Sequence, residues 1–149
     1  MKFSTRTLYG LKAILVLAGR FGEGSLSVSQ IAKKEGISLS YLEQILNALK
    51  KKGLVKSVRG PQGGYVLAKK PSEITLKDLF YTLQNRNFSE LNSIVDPEKD
   101  EAVIANLIFW SKFKNSLEKG LSETTLKGLI DEARQLKKAK SKTSHTFHI

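Results

Sequence analysis

The sequence predicts a mainly α-helical chain with one small β-hairpin, and three observations carry that expectation. Apolar residues recur at spacings of three and four through most of the 149 residues. Serine and threonine cap signals stand before these runs, and glycines stand after several of them. A single glycine-rich turn, Arg59-Gly60-Pro61-Gln62-Gly63-Gly64, separates two short apolar runs of strand length.

Each element follows from a local signal. Ser4 or Thr5 is placed to cap a first helix whose Leu8, Leu11, Ile14, Leu15 and Ala18 form an apolar stripe, ending near Gly22 and Gly24. Ser27 with Gln30 reads as a capping box for a short helix around Ile31 and Ala32 that stops at Gly36. Ser40 with Glu43 reads as a second box. It opens a helix over residues 40–52 whose buried face is Leu42, Ile45, Leu46 and Leu49 and whose stop is Gly53. Residues 54–58 and 65–68 are the two strands of the hairpin, which occupies residues 54–68 in all.

Beyond the hairpin, Thr75 with Asp78 caps a short helix carrying Leu76, Leu79, Phe80 and Leu83. Residues 84–95 read as a loop, after which Asp96 and Pro97 set an N-cap and a first-turn proline for a long helix toward Gly120. A last helix over about residues 125–136 precedes a basic tail, residues 137–149, expected to be disordered.

Two helices joined by the turn Gly36-Ile37-Ser38-Leu39 and followed by a hairpin make a winged helix-turn-helix, here residues 1–72. With Leu42, Ile45, Leu46 and Leu49 facing the core, the 100° step per residue puts Tyr41, Gln44, Asn47, Ala48 and Lys51 on the outer face. That is the face a DNA major groove accepts. Residues 73–136 form a helical region suited to dimerisation and effector response. Its long helix holds Val103, Ile104, Leu107, Ile108, Phe109, Trp110, Phe113 and Leu117, apolar on nearly every side. Such a helix needs cover all round, and in so short a chain either the monomer or a second subunit must supply it. The second subunit is the natural source, which makes Val103, Leu107, Trp110, Phe113 and Leu117 the candidate interface of a homodimer.

Charge points to a polyanionic partner. The net charge is +11, and the excess is uneven: residues 1–72 hold thirteen basic and three acidic residues, the remainder twelve and eleven. A basic field on one module suits phosphate, because each neutralised phosphate releases counterions. The absence of cysteine excludes disulfides, thiolate metal sites and a cysteine nucleophile. Lys2 and Arg6 ahead of an apolar run mimic a secretory signal, but Lys12 interrupts it and no small-residue cleavage pattern follows. No stretch reaches the length of a membrane span, so the cytoplasm is the expected location, with no membrane partner.

Individual side chains then take roles. Ser38 and Ser40, at the front of the second helix, suit phosphate or base-edge contacts, or capping alone. Glu43 is placed either to accept from a cytosine amino group or to complete its box, and Gln44 to pair with adenine. Tyr41 suits a thymine methyl or a phosphate, or shields the edge of the core. Arg59 at the hairpin tip, with Gly60 beside it, suits a narrow minor groove. Lys50, Lys51, Lys52 and Lys56 suit phosphates. His145 and His148 would share a face only if the tail were helical. No catalytic set of side chains emerges, so an enzyme is not expected. A winged helix that binds RNA or docks a protein is the alternative to a duplex-DNA reader.

The runs GISLSYLEQ at residues 36–44 and GLVKSVRGPQGGYVL at residues 53–67 closely resemble the Rrf2 family of winged-helix regulators, with weaker echoes at residues 4–18, 74–79 and 125–130. The resemblance implies a homodimer joined through the long helix, bound to a pseudo-palindromic operator and usually repressing transcription. Many members of that family hold an iron–sulfur cluster on three cysteines in the stretch corresponding to residues 85–100. This chain has none, so the resemblance implies a member without a cofactor whose signal comes from a protein partner or a small molecule. Some relatives ligate clusters with carboxylates or histidine, and for that alternative the resemblance offers Glu90, Asp96, Glu98, Asp100 and Glu101 here.

Overall fold

The computed structural model describes residues 4–84, 98 and 100–145. Among them the order is α1 (Thr5–Gly19), α2 (Val28–Glu35), α3 (Leu39–Lys51), β1 (Val55–Val58), β2 (Gly64–Leu67), a 3-10 turn (Pro71–Glu73), α4 (Leu76–Leu83), α5 (Glu101–Glu123) and α6 (Leu126–His145). The mainly helical chain with a hairpin wing is what the sequence predicts.

Capping sets most helix starts. The Ser4 hydroxyl accepts from the Thr7 N–H at 3.2 Å. In α2 the Ser27 hydroxyl accepts from the Gln30 N–H at 3.1 Å while the Gln30 side chain accepts from the Ser27 N–H at 2.9 Å. Thr75 and Asp78 reciprocate in the same way at the start of α4. These bonds satisfy donors that a helix start otherwise leaves open.

The expected α1 stripe holds at Ile14 and Ala18, which are buried, and at Leu11 and Leu15, which pack half-buried against the core, and it departs at Leu8. Gly10, Ala13, Ile14, Val16, Leu17 and Ala18 are buried, whereas Leu8 is 50% exposed. Small residues decide this, because α4 crosses α1 closely: a Cβ on Gly10 would stand 2.4 Å from Leu83 Cδ1. Leu8 and Leu11 instead line an apolar groove with Leu76, Leu79, Phe80, Leu83 and Leu121. α1 also ends at Gly19, ahead of Gly22 and Gly24, which serve the following loop with positive φ.

One core runs through the described chain. Ile14, Ile31, Leu42, Ile45, Leu46, Leu49, Val55, Ile74, Leu83 and Leu126 are fully buried in it. α4 and the start of α6 therefore belong to the same packed body as the helix-turn-helix. Their starts are tied by backbone: Leu76 N–H donates to Thr124 O at 2.9 Å and Leu126 N–H to Ile74 O at 3.0 Å.

Two boundaries differ from expectation. α5 is capped by Asp100, whose carboxylate accepts from Ala102 N–H at 2.8 Å. Asp96 and Pro97 lie outside the described residues. The helix also runs through Gly120 to Glu123, since one glycine costs only about 1 kcal/mol in a helix interior. The expected disordered tail is corrected over residues 137–145, because α6 continues to His145. Its residues 133–142 are Ala, Arg, Gln, Leu, Lys and Ser with neither glycine nor proline, and cations suit a helix C-terminus. His148 lies outside the described residues. No helix among those described is long and apolar enough to cross a membrane.

Candidate nucleic-acid interface

The polar edge of α3 begins where the preceding turn is pinned. Ile37 is buried and its N–H donates to Ala32 O at 3.1 Å, so the chain turns extended at Ser38 and becomes helical at Leu39. The expected Ser40–Glu43 box is therefore not formed: Ser38 is the N-cap, without a side-chain cap bond, and Ser40 already lies in the first turn. Glu43 loses its capping explanation and stands exposed with Ser38, Ser40, Gln44 and Asn47. The buried face is the expected one, Leu42, Ile45, Leu46 and Leu49. Leu39, assigned to the turn by the sequence, is 47% exposed at the front of this edge and presents a methyl surface to it. Tyr41 is half-buried, its ring edge-on to Tyr9 at 5.9 Å, so it also serves the α1–α3 packing.

The hairpin is held to this helix and to the loop before α2. Val55 pairs with Leu67, Lys56 with Val66, Ser57 with Tyr65 and Val58 with Gly64. Leu26 adds a bridge on the open edge, exchanging backbone bonds with Tyr65 at 3.1 and 2.7 Å. The glycines divide their work. Gly60 takes φ +118°, a conformation side chains resist, whereas a Cβ on Gly64 would stand 2.1 Å from Leu26 O. At the tip, Gly63 N–H donates to Gly60 O at 2.9 Å and the Ser25 hydroxyl donates to Gln62 O at 2.6 Å. Lys50 Nζ donates to Ser57 Oγ at 2.8 Å and ties the end of α3 to β1. Arg59 is exposed at this braced tip, and Lys51, Lys52 and Lys56 are exposed nearby in sequence.

The second surface is α5, of which no residue is buried. Val103 is 44% exposed, Phe109 57%, Trp110 39% and Phe113 37%, while Leu107 and Leu117 are half-buried. The three aromatic rings form one cluster, Phe109 to Trp110 at 5.2 Å and Trp110 to Phe113 at 5.8 Å. Among the described residues, the clamp on α5 lies in its C-terminal part. The Tyr81 hydroxyl donates to the Glu118 carboxylate, and Lys77 Nζ lies 3.6 Å from that carboxylate. Burial, reinforced by the bond to Glu118, pushes the Tyr81 hydroxyl up to about 12. The same bond, aided by Lys77 and Lys114, holds the Glu118 carboxyl below its usual range.

Among the described residues the donor set for a metal or cluster is poor. The chain offers no thiolate, and among the described residues no three His, Asp or Glu side chains gather to hold an ion. Of the carboxylates named from the sequence, Asp100 is used as a cap, and Glu90 and Asp96 lie outside the described residues.

A helix-turn-helix with an exposed polar edge, backed by a braced glycine-turned hairpin with arginine at its tip, defines a winged-helix DNA-binding regulator. The family model Rrf2, described as an iron-dependent transcriptional regulator, matches residues 3–132, and the chain belongs to that family. It is 37% identical over 129 residues to the transcriptional regulator CymR of Bacillus subtilis, covering 87% of this chain and 89% of the relative. It is 31% identical over 139 residues to the protein rrf2 of Nitratidesulfovibrio vulgaris, covering 89% of each. Among solved structures, T. potens IscR superposes with a TM-score of 0.74 at 38% identity, over 89% of this chain and 88% of that one. B. subtilis CymR gives 0.73 at 35% identity, over 89% and 98%. The family consists of transcription regulators, and this chain is a DNA-binding regulator of that kind and not an enzyme.

Proposed function

We propose that the chain acts as a homodimeric repressor on a pseudo-palindromic operator, each α3 reading a major groove and each wing entering the flanking minor groove. The observation that carries the reading is the exposed edge of α3 beside the braced wing, within the module that holds nearly all the excess positive charge. In this reading Ser38 and Ser40 contact phosphate or base edges, Glu43 accepts from a cytosine amino group, and Gln44 pairs with adenine. Tyr41 touches backbone or a thymine methyl, and Arg59 with Gly60 enters the minor groove. Val103, Leu107, Trp110, Phe113 and Leu117 meet the same residues of a second copy, since an uncovered aromatic cluster is costly to leave in water. Regulation proceeds without a thiolate-bound cluster, through a protein partner or small effector.

Selection of bound sequences from random duplexes, repeated at two salt concentrations, tests this. The reading requires two related half-sites about one helical turn apart, or a multiple of it, bound about a thousandfold or more above random DNA at the higher salt. Binding to every duplex alike, lost as salt rises, overturns it and favours an RNA or protein partner for the basic face.

A further inference from the structure

α6 continues past the residues that the family model matches. The family match ends at residue 132, while the helix continues to His145. After Glu132 the chain contains no acidic residue, and the helix carries Arg134, Lys137, Lys138, Lys140 and Lys142. All five are exposed. At 100° per residue, Arg134, Lys137, Lys138 and Lys142 fall within an arc of about 140°. Leu136, 63% exposed, is the sole large apolar residue over 133–142, so this stretch of the helix has no apolar face for a groove or a bilayer surface.

Its point of departure faces the wing side of the module. Arg134 Nη2 donates to Gly19 O at 3.4 Å, and Arg134 shares a cleft with Ala18, Phe21 and Lys70. The next residues of that loop, Arg20, Phe21, Gly22 and Gly24, line a hollow with Lys56, Val66 and Leu67 of the wing. Ser25 then reaches the wing tip at Gln62. From Arg134 to His145 the helix extends roughly 16 Å.

We propose that residues 134–142 form a phosphate-binding arm that grips duplex DNA outside the wing, beyond the sequence the protein reads. The proposal rests on the operator reading above. A polycationic helix without an apolar face gains from phosphates through counterion release alone, so the arm adds affinity without adding sequence preference. Its partner is the DNA flank because its root at Arg134 shares Phe21 with the hollow that Lys56, Val66 and Leu67 of the wing line, and in the operator reading the wing enters the flanking minor groove.

The test uses the full chain and the operator core that it selects, presented once with long flanks and once cut at the outer edge of the wing footprint. The wild type binds the long duplex roughly tenfold or more tightly than the cut one. The triple variant K137Q/K138Q/K140Q binds both at the cut-duplex level, and its salt slope on the long duplex falls by about 2 to 3 per protomer. K137R/K138R/K140R retains wild-type behaviour, and circular dichroism shows that both variants keep α6. An unchanged slope and flank preference in the glutamine variant overturns the arm. So does an equal loss on both duplexes, or a loss confined to RNA or protein capture. Should the wild type select no sequence, the operator reading fails separately, and the slope on random duplex still decides the arm.

Discussion

The winged-helix module and α5 are built from similar amounts of apolar sequence put to opposite use. In α3, Leu42, Ile45, Leu46 and Leu49 are at most 1% exposed, and the polar residues face outward. In α5, Phe109, Trp110 and Phe113 are all more than a third exposed, and no position is buried. Among the described residues the module buries its own apolar face, whereas α5 leaves its aromatic cluster uncovered. If α5 is the dimer interface proposed above, stability of the fold and association are separable properties, located in different residues.

Substitutions should respect that separation. Trp110→Glu has the largest expected effect: placing a charge in the aromatic cluster weakens association by about 4 kcal/mol, near three orders of magnitude, while the far-ultraviolet spectrum stays native. Sedimentation that still shows dimers at micromolar protein would remove α5 from the interface. Leu46→Ala, in the fully buried stripe, lowers unfolding free energy by about 3 kcal/mol in denaturant titration. A change much under 1 kcal/mol would mean that the module core is not the seat of stability. Arg59→Ala costs about 2 kcal/mol in operator binding and leaves the melting temperature within a degree or two, because an exposed tip arginine supports no core. Operator affinity equal to wild type at moderate salt would take the wing out of the groove.

The smallest effect lies at the joint between the two regions. Tyr81→Phe deletes the hydroxyl that donates to Glu118 and costs about 1.5 kcal/mol, since hydrogen bonds to charged groups exceed neutral ones. Its pH dependence has a definite sign. The folded Tyr81 keeps its proton to about 12 against an ordinary 10.0, so its stabilisation is complete below pH 10 and declines as pH rises toward 12. The lowered Glu118 carboxyl acts at the other end: its contribution is present above the ordinary carboxylate range and is lost on acidification through the folded value. Thermal melts of the phenylalanine variant should lack the alkaline decline, and an unaltered decline would assign it to another group.

Sequence reasoning succeeded where one residue's chemistry decides a backbone choice. Ser27 with Gln30, Thr75 with Asp78 and the left-handed Gly36 and Gly53 place helix ends directly, and the Leu42–Leu49 spacing fixes the buried face of α3. It failed where distant contacts choose between local options. Ser40–Glu43 matches the capping pattern as well as Ser27–Gln30 does, but buried Ile37 sets the turn earlier and leaves Glu43 to solvent. Leu8 fits the α1 stripe as well as Leu11 does, yet it stays exposed while Ala13 and Leu17 are buried, because α4 crosses α1 at Gly10 against Leu83. The wing's third edge at Leu26 and the Ser25–Gln62 and Lys50–Ser57 bonds join residues too far apart in sequence for any periodicity to announce. On the exposed edge of α3 and at the wing tip, Ser38, Ser40, Gln44 and Arg59 are exposed as expected, and the exposure of Leu39 was not foreseen because an apolar residue in a turn resembles a core anchor.

Among the described residues, α5 is held as a cantilever is, near its C-terminal end. Its 23 residues span about 35 Å, and its root near Thr124 is fastened by the Glu118 clamp and the paired backbone at Ile74 and Leu76. A rod held at one end converts a small rotation at the root into a large sweep at the tip: 10° over that length is roughly 6 Å. Anything that grasps the Asp100 end works with the full length of the lever, and the torque is delivered at α4, which packs directly on the first helix of the DNA-reading module.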